Sequence, residues 1–247
     1  MKYSYKEILD SLPVKKNSNS SWWVKLWVRK ASFLFTYLFI NLGFSPNAVS
    51  IFSIFIALLS FVCFAIPGNF TLIIAIFAIN LWLILDCVDG NIARCKKQKT
   101  IYGEFVDDIG GYYVVAFVYL AIAIRSYIDG GVFFNNNYWI IVIGAIACIS
   151  DILARLINKD YVNFSMKRAD YKQTDYTNES KKSITYLRRR VGKELGISGA
   201  FMPLVILSGL FGAYDLLTIF YCAFNLFALI TTTVLYIYKA DKYDREN

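Results

Sequence analysis

The chain has 247 residues and no histidine, so imidazole catalysis and histidine-ligated metal sites are excluded. Cysteine is scarce and scattered. Cys63, Cys87, Cys95, Cys148 and Cys222 form no Cys-x-x-Cys pair, and neither a zinc site nor a disulfide framework is expected. Cys63, Cys148 and Cys222 lie in apolar runs and read as small core residues. Charge is sparse as well: 18% of residues are charged, against 57% hydrophobic and 17% aromatic, which excludes an ordinary soluble composition. No internal repeat and no separate soluble domain is evident. The start of the chain is polar and mixed in charge, so no cleavable signal peptide is expected.

What is present is a series of apolar stretches long enough to span a bilayer. The fold class they imply is an all-α integral membrane protein with six transmembrane helices and an N-terminal interfacial amphipathic helix. Residues 1–20 read as a polar lead-in, partly ordered at best. In residues 22–42, Trp22, Trp23 and Trp27 alternate with Lys25, Arg29 and Lys30 at helical spacing. That suits a helix lying in the interface, with rings at head-group level and cations toward phosphates. Ser45-Pro46-Asn47 then caps and starts the first span. Spans are expected over about 48–66, 70–85, 104–124, 138–157, 197–211 and 216–238. The segment 158–195 is basic, polar and partly helical. This gives a lead-in with interfacial helix over 1–44, a six-helix catalytic domain over 45–238 and a tail over 239–247.

Of the 26 lysines and arginines, all but Arg125 fall in segments on one side of this topology. The positive-inside rule makes that side cytoplasmic, with both termini there. The net charge of +8 then reflects cytoplasmic loops and anionic lipid head groups, not nucleic acid. Arg188-Arg189-Arg190 reads as a lipid-surface patch for the same reason.

Acidic residues cluster where two apolar runs end. The stretch is Asp86-Cys87-Val88-Asp89-Gly90-Asn91-Ile92-Ala93-Arg94, eight residues, then Gly103-Glu104-Phe105-Val106-Asp107-Asp108-Ile109-Gly110-Gly111. A carboxylate at a membrane edge is costly unless it holds a cation or a proton. Asp86 and Asp89 are spaced i, i+3 on one helical face, and Asp107 opens the next apolar segment and can face them. Converging oxygen ligands suit a hard cation such as Mg²⁺, which also takes phosphate oxygens. Gly90 leaves room for a nucleotide to approach the helix, and Arg94 lies one turn on, placed to pair with a phosphate.

The stretch resembles the signature of the CDP-alcohol phosphotransferases, Asp-x-x-Asp-Gly-x-x-Ala-Arg, about eight residues, Gly-x-x-x-Asp-x-x-x-Asp. Asp86, Asp89, Gly90, Ala93, Arg94, Gly103 and Asp107 match it in order and spacing. The resemblance implies transfer of a substituted phosphate group from a CDP-linked alcohol to a lipid or small-alcohol acceptor, with release of CMP. It implies Asp86, Asp89 and Asp107 as metal ligands for Mg²⁺ or Mn²⁺, as two ions. Gly90, Ala93, Arg94 and Gly103 would border the CDP part. It also implies a homodimer.

The last acidic position of the signature falls on Gly111. In the family that residue is thought to bind metal and to take the acceptor's proton, and glycine can do neither. Four readings stay open. Asp108 stands in beside Asp107 as a catalytic residue, although it lies about 100° around the helix. Another segment supplies the base. The acceptor is already an anion, such as a lipid phosphate. Or the protein binds CDP compounds without turning them over. A transporter with an aspartate cation site is a further rival, though an ion path has no use for Gly90, Ala93 and Arg94. Arg155 is either an acceptor-phosphate ligand or an ordinary basic flank that pairs with Asp151. Arg29 and Ser32 resemble an Arg and Ser near the same place in family members that transfer inositol phosphates.

Overall fold

A computed structural model describes residues 3–98, 100–167 and 184–246. Among the described residues the chain is helical throughout and has no strand. Among the same described residues, six helices are long and apolar enough to cross a membrane, as the apolar runs require.

The lead-in is better ordered than its composition implies. Helix α1 (Tyr5–Asp10) starts in a capping box: Ser4 Oγ accepts from the Glu7 N–H at 3.2 Å, and the Glu7 carboxylate accepts from the Ser4 N–H at 2.7 Å. Ile8 on α1 is fully buried, and Tyr3 exchanges backbone hydrogen bonds with the Asn41 side chain at 3.2 and 3.1 Å. A short α2 (Val14–Ser18) follows.

The tryptophan-rich stretch forms a π-helical turn, Val24–Val28, that runs into α3 (Arg29–Asn41). Its outward side carries Leu34 and Leu38 with Lys25 and Lys30, as an interfacial helix requires. Its inward side is unexpectedly polar, because Arg29, Ser32 and Thr36 are all buried. The sequence reading turned all three cations toward the head groups. Arg29 instead points into the protein, where Ser20 Oγ accepts from its Nη2 at 2.8 Å.

The spans are α4 (Pro46–Ala65), α5 (Asn69–Cys95), α6 (Ile101–Asp129), α7 (Trp139–Lys167), a broken fifth span and α10 (Tyr214–Glu246). At the start of α4, Ser45 Oγ accepts from the Ala48 N–H at 3.1 Å and Pro46 occupies the first turn. Most spans run past the apolar limits read from the sequence. The second, expected to stop near residue 85, continues to Cys95. Charged side chains end an apolar run without breaking the backbone hydrogen-bond ladder, so the run marks the membrane edge and not the helix end.

The fifth span, Arg190–Phe211, takes in the end of α8 (Ile184–Leu195), a π-helical turn Ile197–Phe201, and α9 (Met202–Phe211). Gly199 leaves helical geometry at φ −109°, ψ −117°, and a Cβ there would lie 2.1 Å from the Glu194 carbonyl oxygen. Only glycine permits that approach. The segment 158–195 read from the sequence falls partly outside the described residues.

Helix α4 packs on α5 and α6, and α7 packs on α6 and α10. The connections at one end of the bundle are tied together by buried charge. Arg125, 1% exposed, donates to the carbonyls of Ile66 at 2.8 Å and Gly68 at 3.1 Å and pairs with Asp129 at 2.5 Å. Asp215 accepts from the Phe133 and Phe134 N–H groups at 2.6 and 3.2 Å. The one cation outside the basic side is thus consumed as a cap for a turn. The opposite end of the bundle carries the acidic cluster.

Candidate functional site

Helix geometry delivers the carboxylates. Asp86 and Asp89 are one turn apart on α5, and Asp107 is in the second turn of α6. The Asp86 carboxyl is close enough to interact with both Asp89 and Asp107. Asp89 is 7% exposed, and Ser50 Oγ on α4 donates to its Oδ2 at 2.6 Å. Three like charges in a half-buried place repel one another, and a cation between them relieves that cost.

A cavity of about 450 Å³ opens beside them. Asp89, Gly90, Ala93 and Arg94 form its α5 wall, with Gly103 and Asp107 from α6 and Pro46, Asn47 and Ser50 from α4. Every residue expected to border a nucleotide therefore lines one cavity together with two of the three proposed metal ligands. The third, Asp86, lines a smaller adjoining cavity with Cys87 and Arg29. The glycines have steric roles. A Cβ on Gly103 would lie 3.0 Å from Asn47 Oδ1, so its absence lets α6 begin against the start of α4. A Cβ on Gly90 would lie 3.3 Å from Arg94 Nη1, in the lane the guanidinium occupies.

Arg94 is held from behind. Its Nη2 donates to Asn91 Oδ1, and the fully buried Asn91 donates from Nδ2 to Ser32 Oγ at 3.2 Å and Thr36 Oγ1 at 3.0 Å. The polar face of α3 thus reaches the cavity through one asparagine. Among the described residues Arg94 Nε is buried with no partner, so the guanidinium keeps unused donor capacity. Lys16 of α2 lines the same cavity. Burial and the guanidinium groups of Arg94 and Arg29 hold the Lys16 ammonium below the usual lysine range.

Asp108 does not line the cavity. It is exposed, and its carboxylate accepts from Lys159 Nζ at 3.2 Å across to α7. Gly111 lies one turn beyond Asp107, and a Cβ built on it meets nothing within 4 Å. Gly110 is the packing glycine of that pair, its Cβ position 3.3 Å from Ile54 Cγ1. Arg155 pairs with Asp151 at 2.9 Å, and Arg188 donates to Thr232.

Sequence reading missed Ser50, Asn91 and Lys16 as site residues. Ser50 had a signal, since Asn47, Ser50 and Ser53 recur every third residue in an apolar run. Asn91 lies inside the signature at a position the signature leaves free. Lys16 had none, because only the folded chain brings α2 beneath α5.

Among the described residues no group of three or more Cys, Asp or Glu side chains is drawn tightly enough to hold an ion alone. The donor set still fits Mg²⁺. That ion keeps several waters and usually binds through one or two carboxylates plus substrate phosphates, and Asp89 and Asp107 face one cavity.

The model of a family described as CDP-alcohol phosphatidyltransferase matches residues 44–181, more than half of the chain. The matched span includes α4, α5, α6 and the whole acidic cluster. No curated protein matches the chain.

Proposed function

The chain belongs to the CDP-alcohol phosphatidyltransferase family, and from that premise we propose that it transfers a substituted phosphate group from a CDP-alcohol to an acceptor, releasing CMP. The observation that carries this reading is the meeting of Asp86, Asp89 and Asp107 beside a cavity whose wall also holds Gly90, Ala93, Arg94 and Gly103.

In this reading Asp86, Asp89 and Asp107 hold Mg²⁺ or Mn²⁺, as two ions. The bound metal supplies neutralisation of the charge that builds on the transferred phosphate and on the departing CMP oxygen. Ser50 fixes the rotamer of Asp89, so the carboxylate is oriented before substrate arrives. Arg94 pairs with a donor phosphate, and Asn91 holds the guanidinium in place for it. Gly90, Ala93 and Gly103 leave the cavity wall low enough for the cytidine part to lie along α5. The site faces the cytoplasm, where CDP-linked donors and Mg²⁺ are found, and the Lys and Arg distribution supports that orientation. One substrate slides in from lipid while the other arrives from water.

The test uses the full chain in nanodiscs with a series of CDP-alcohols and candidate acceptors. Mg²⁺-dependent CMP release, abolished by chelation and by Asp89→Asn, is the expected result. Cytidine-nucleotide binding with no CMP release from any donor would make the protein a silent binder. Substrate flux across sealed vesicles with no need for a cytidine nucleotide would make it a transporter.

A further inference from the structure

A second cavity of about 210 Å³ adjoins the first and shares Lys16, Gly90 and Arg94 with it. Its walls come from three distant parts of the chain: the N-terminal segment, α5, and the turn in the fifth span. Direct bonds hold these walls together. Ser21 Oγ donates to the Ser198 carbonyl at 2.5 Å, the Trp22 N–H donates to the Glu194 carboxylate at 2.9 Å, and Lys193 Nζ donates to the Asn19 carbonyl.

The lining is strongly cationic. Among the described lining residues, Lys16, Arg29, Arg94 and Lys193 stand against the one carboxylate of Asp86. Arg29 is 7% exposed, and its only described bond is the one from Nη2 to Ser20, while Nε is buried with no partner. A buried guanidinium with an open donor and no ion pair among the described residues is costly, and so is packing four cations about one carboxylate in a small space. A dianionic tetrahedral group relieves both at once, because it accepts several charge-assisted hydrogen bonds from converging donors. A neutral hydroxyl relieves neither.

We propose that this second cavity is the acceptor site, and that the acceptor is a phosphate monoester whose own phosphate oxygen is the nucleophile. The proposal rests on the CDP-alcohol reading of the larger cavity. An acceptor phosphate oxygen forms a new bond to the phosphorus that carries the alcohol. The bond from that phosphorus to the CMP oxygen breaks, and CMP leaves with the electron pair. The product is a diphosphate diester. The attacking oxygen carries no proton, so no general base is needed. That agrees with a chain that has no histidine, a glycine at position 111, and an Asp108 engaged by Lys159. The source of the monoester is either a lipid phosphate arriving along the membrane or a soluble phosphate ester.

The experiment supplies the full chain with a CDP-alcohol, Mg²⁺ and one of three acceptors: a polyprenyl phosphate in nanodiscs, the matching polyprenol, or glycerol phosphate in solution. CMP release and the ³¹P spectrum of the product are read, with CDP binding measured on the same preparations. Diphosphate product from either phosphate acceptor, and none from polyprenol, is the expected result, and the arm that reacts identifies the source. Arg29→Gln and Lys193→Gln should each raise the KM for the phosphate acceptor by about tenfold or more while moving the CDP affinity by less than about twofold. CDP binding on each variant shows that it has folded. Transfer to polyprenol, CMP release with no diphosphate signal, or a loss in donor affinity equal to the loss for acceptor would overturn the proposal while leaving the CDP-alcohol reading in place. Failure of the unsubstituted chain to bind CDP would overturn both.

Discussion

Asn91→Leu isolates the link between the N-terminal helix and the cavity. Leucine has nearly the same shape as asparagine, so the fully buried site keeps its packing. Three hydrogen bonds disappear. Two of them cost little, because the Ser32 and Thr36 hydroxyls still donate to the carbonyls of Arg29 at 2.8 Å and Ser32 at 2.6 Å. The third holds Arg94, and losing a buried acceptor for a charged donor costs about 1.5–3 kcal/mol. If that cost falls on the pose of the guanidinium, affinity for Mg²⁺-CDP drops about ten- to hundredfold. Calorimetric titration of CDP in a double-mutant cycle with Arg94→Met reads the route directly. Once Arg94 is gone, Asn91→Leu should add almost nothing. If the two losses sum to within about 0.5 kcal/mol, Asn91 does not act through Arg94 and the reasoning fails.

Other outcomes follow from the same contacts. Ser50→Ala removes the 2.6 Å bond to Asp89 and should slow CMP release about three- to tenfold in steady-state assays, with Asp89→Asn far more damaging. Gly103→Val would drive a branched side chain into Asn47 and Thr100, whose oxygens lie 3.0 and 3.1 Å from the Cβ position, and should lower the melting temperature and weaken CDP binding together. Gly111→Asp fits the open space and should leave the melting temperature unchanged, and a gain of transfer to neutral alcohols would show that the glycine selects against them. Arg125→Leu strands Asp129 and two carbonyls at the far end of the bundle and should cost about 3–5 kcal/mol in denaturant unfolding while sparing CDP affinity at permissive temperature. Protonated Lys16 attracts phosphate, so CDP affinity should fall as pH rises, starting below the range of an ordinary lysine, and Lys16→Met should flatten that limb.

The cluster was legible because its geometry is local. Asp86 and Asp89 share a face by helical spacing alone, and Asp107 lies just beyond a short loop, so sequence distance nearly equals spatial distance. The spans were legible because uninterrupted apolar runs have one stable setting. What escaped is long-range. Nothing near Lys16 or Ser20 in the sequence signals that they wall a cavity with Ser198, and the bond from Ser21 to Ser198 bridges residues 177 apart. Arg29 looked like a head-group cation because it alternates with the tryptophans alongside Lys25 and Lys30, which are exposed; its inward turn follows from packing against α5, which the pattern of charges does not encode. The true ends of α5 and α7 escaped for a simpler reason, since polarity marks where lipid ends and the backbone is indifferent to it.

The most direct test places a paramagnetic ion at the cluster. Mn²⁺ is added to the full chain with CDP, and electron–nuclear double resonance is recorded for ³¹P coupling. A coupling that requires both CDP and an intact Asp89, and that disappears in Asp89→Asn, is the predicted result. Mn²⁺ that binds with no phosphorus in its coordination sphere, or a coupling that survives the loss of Asp89, would contradict the account.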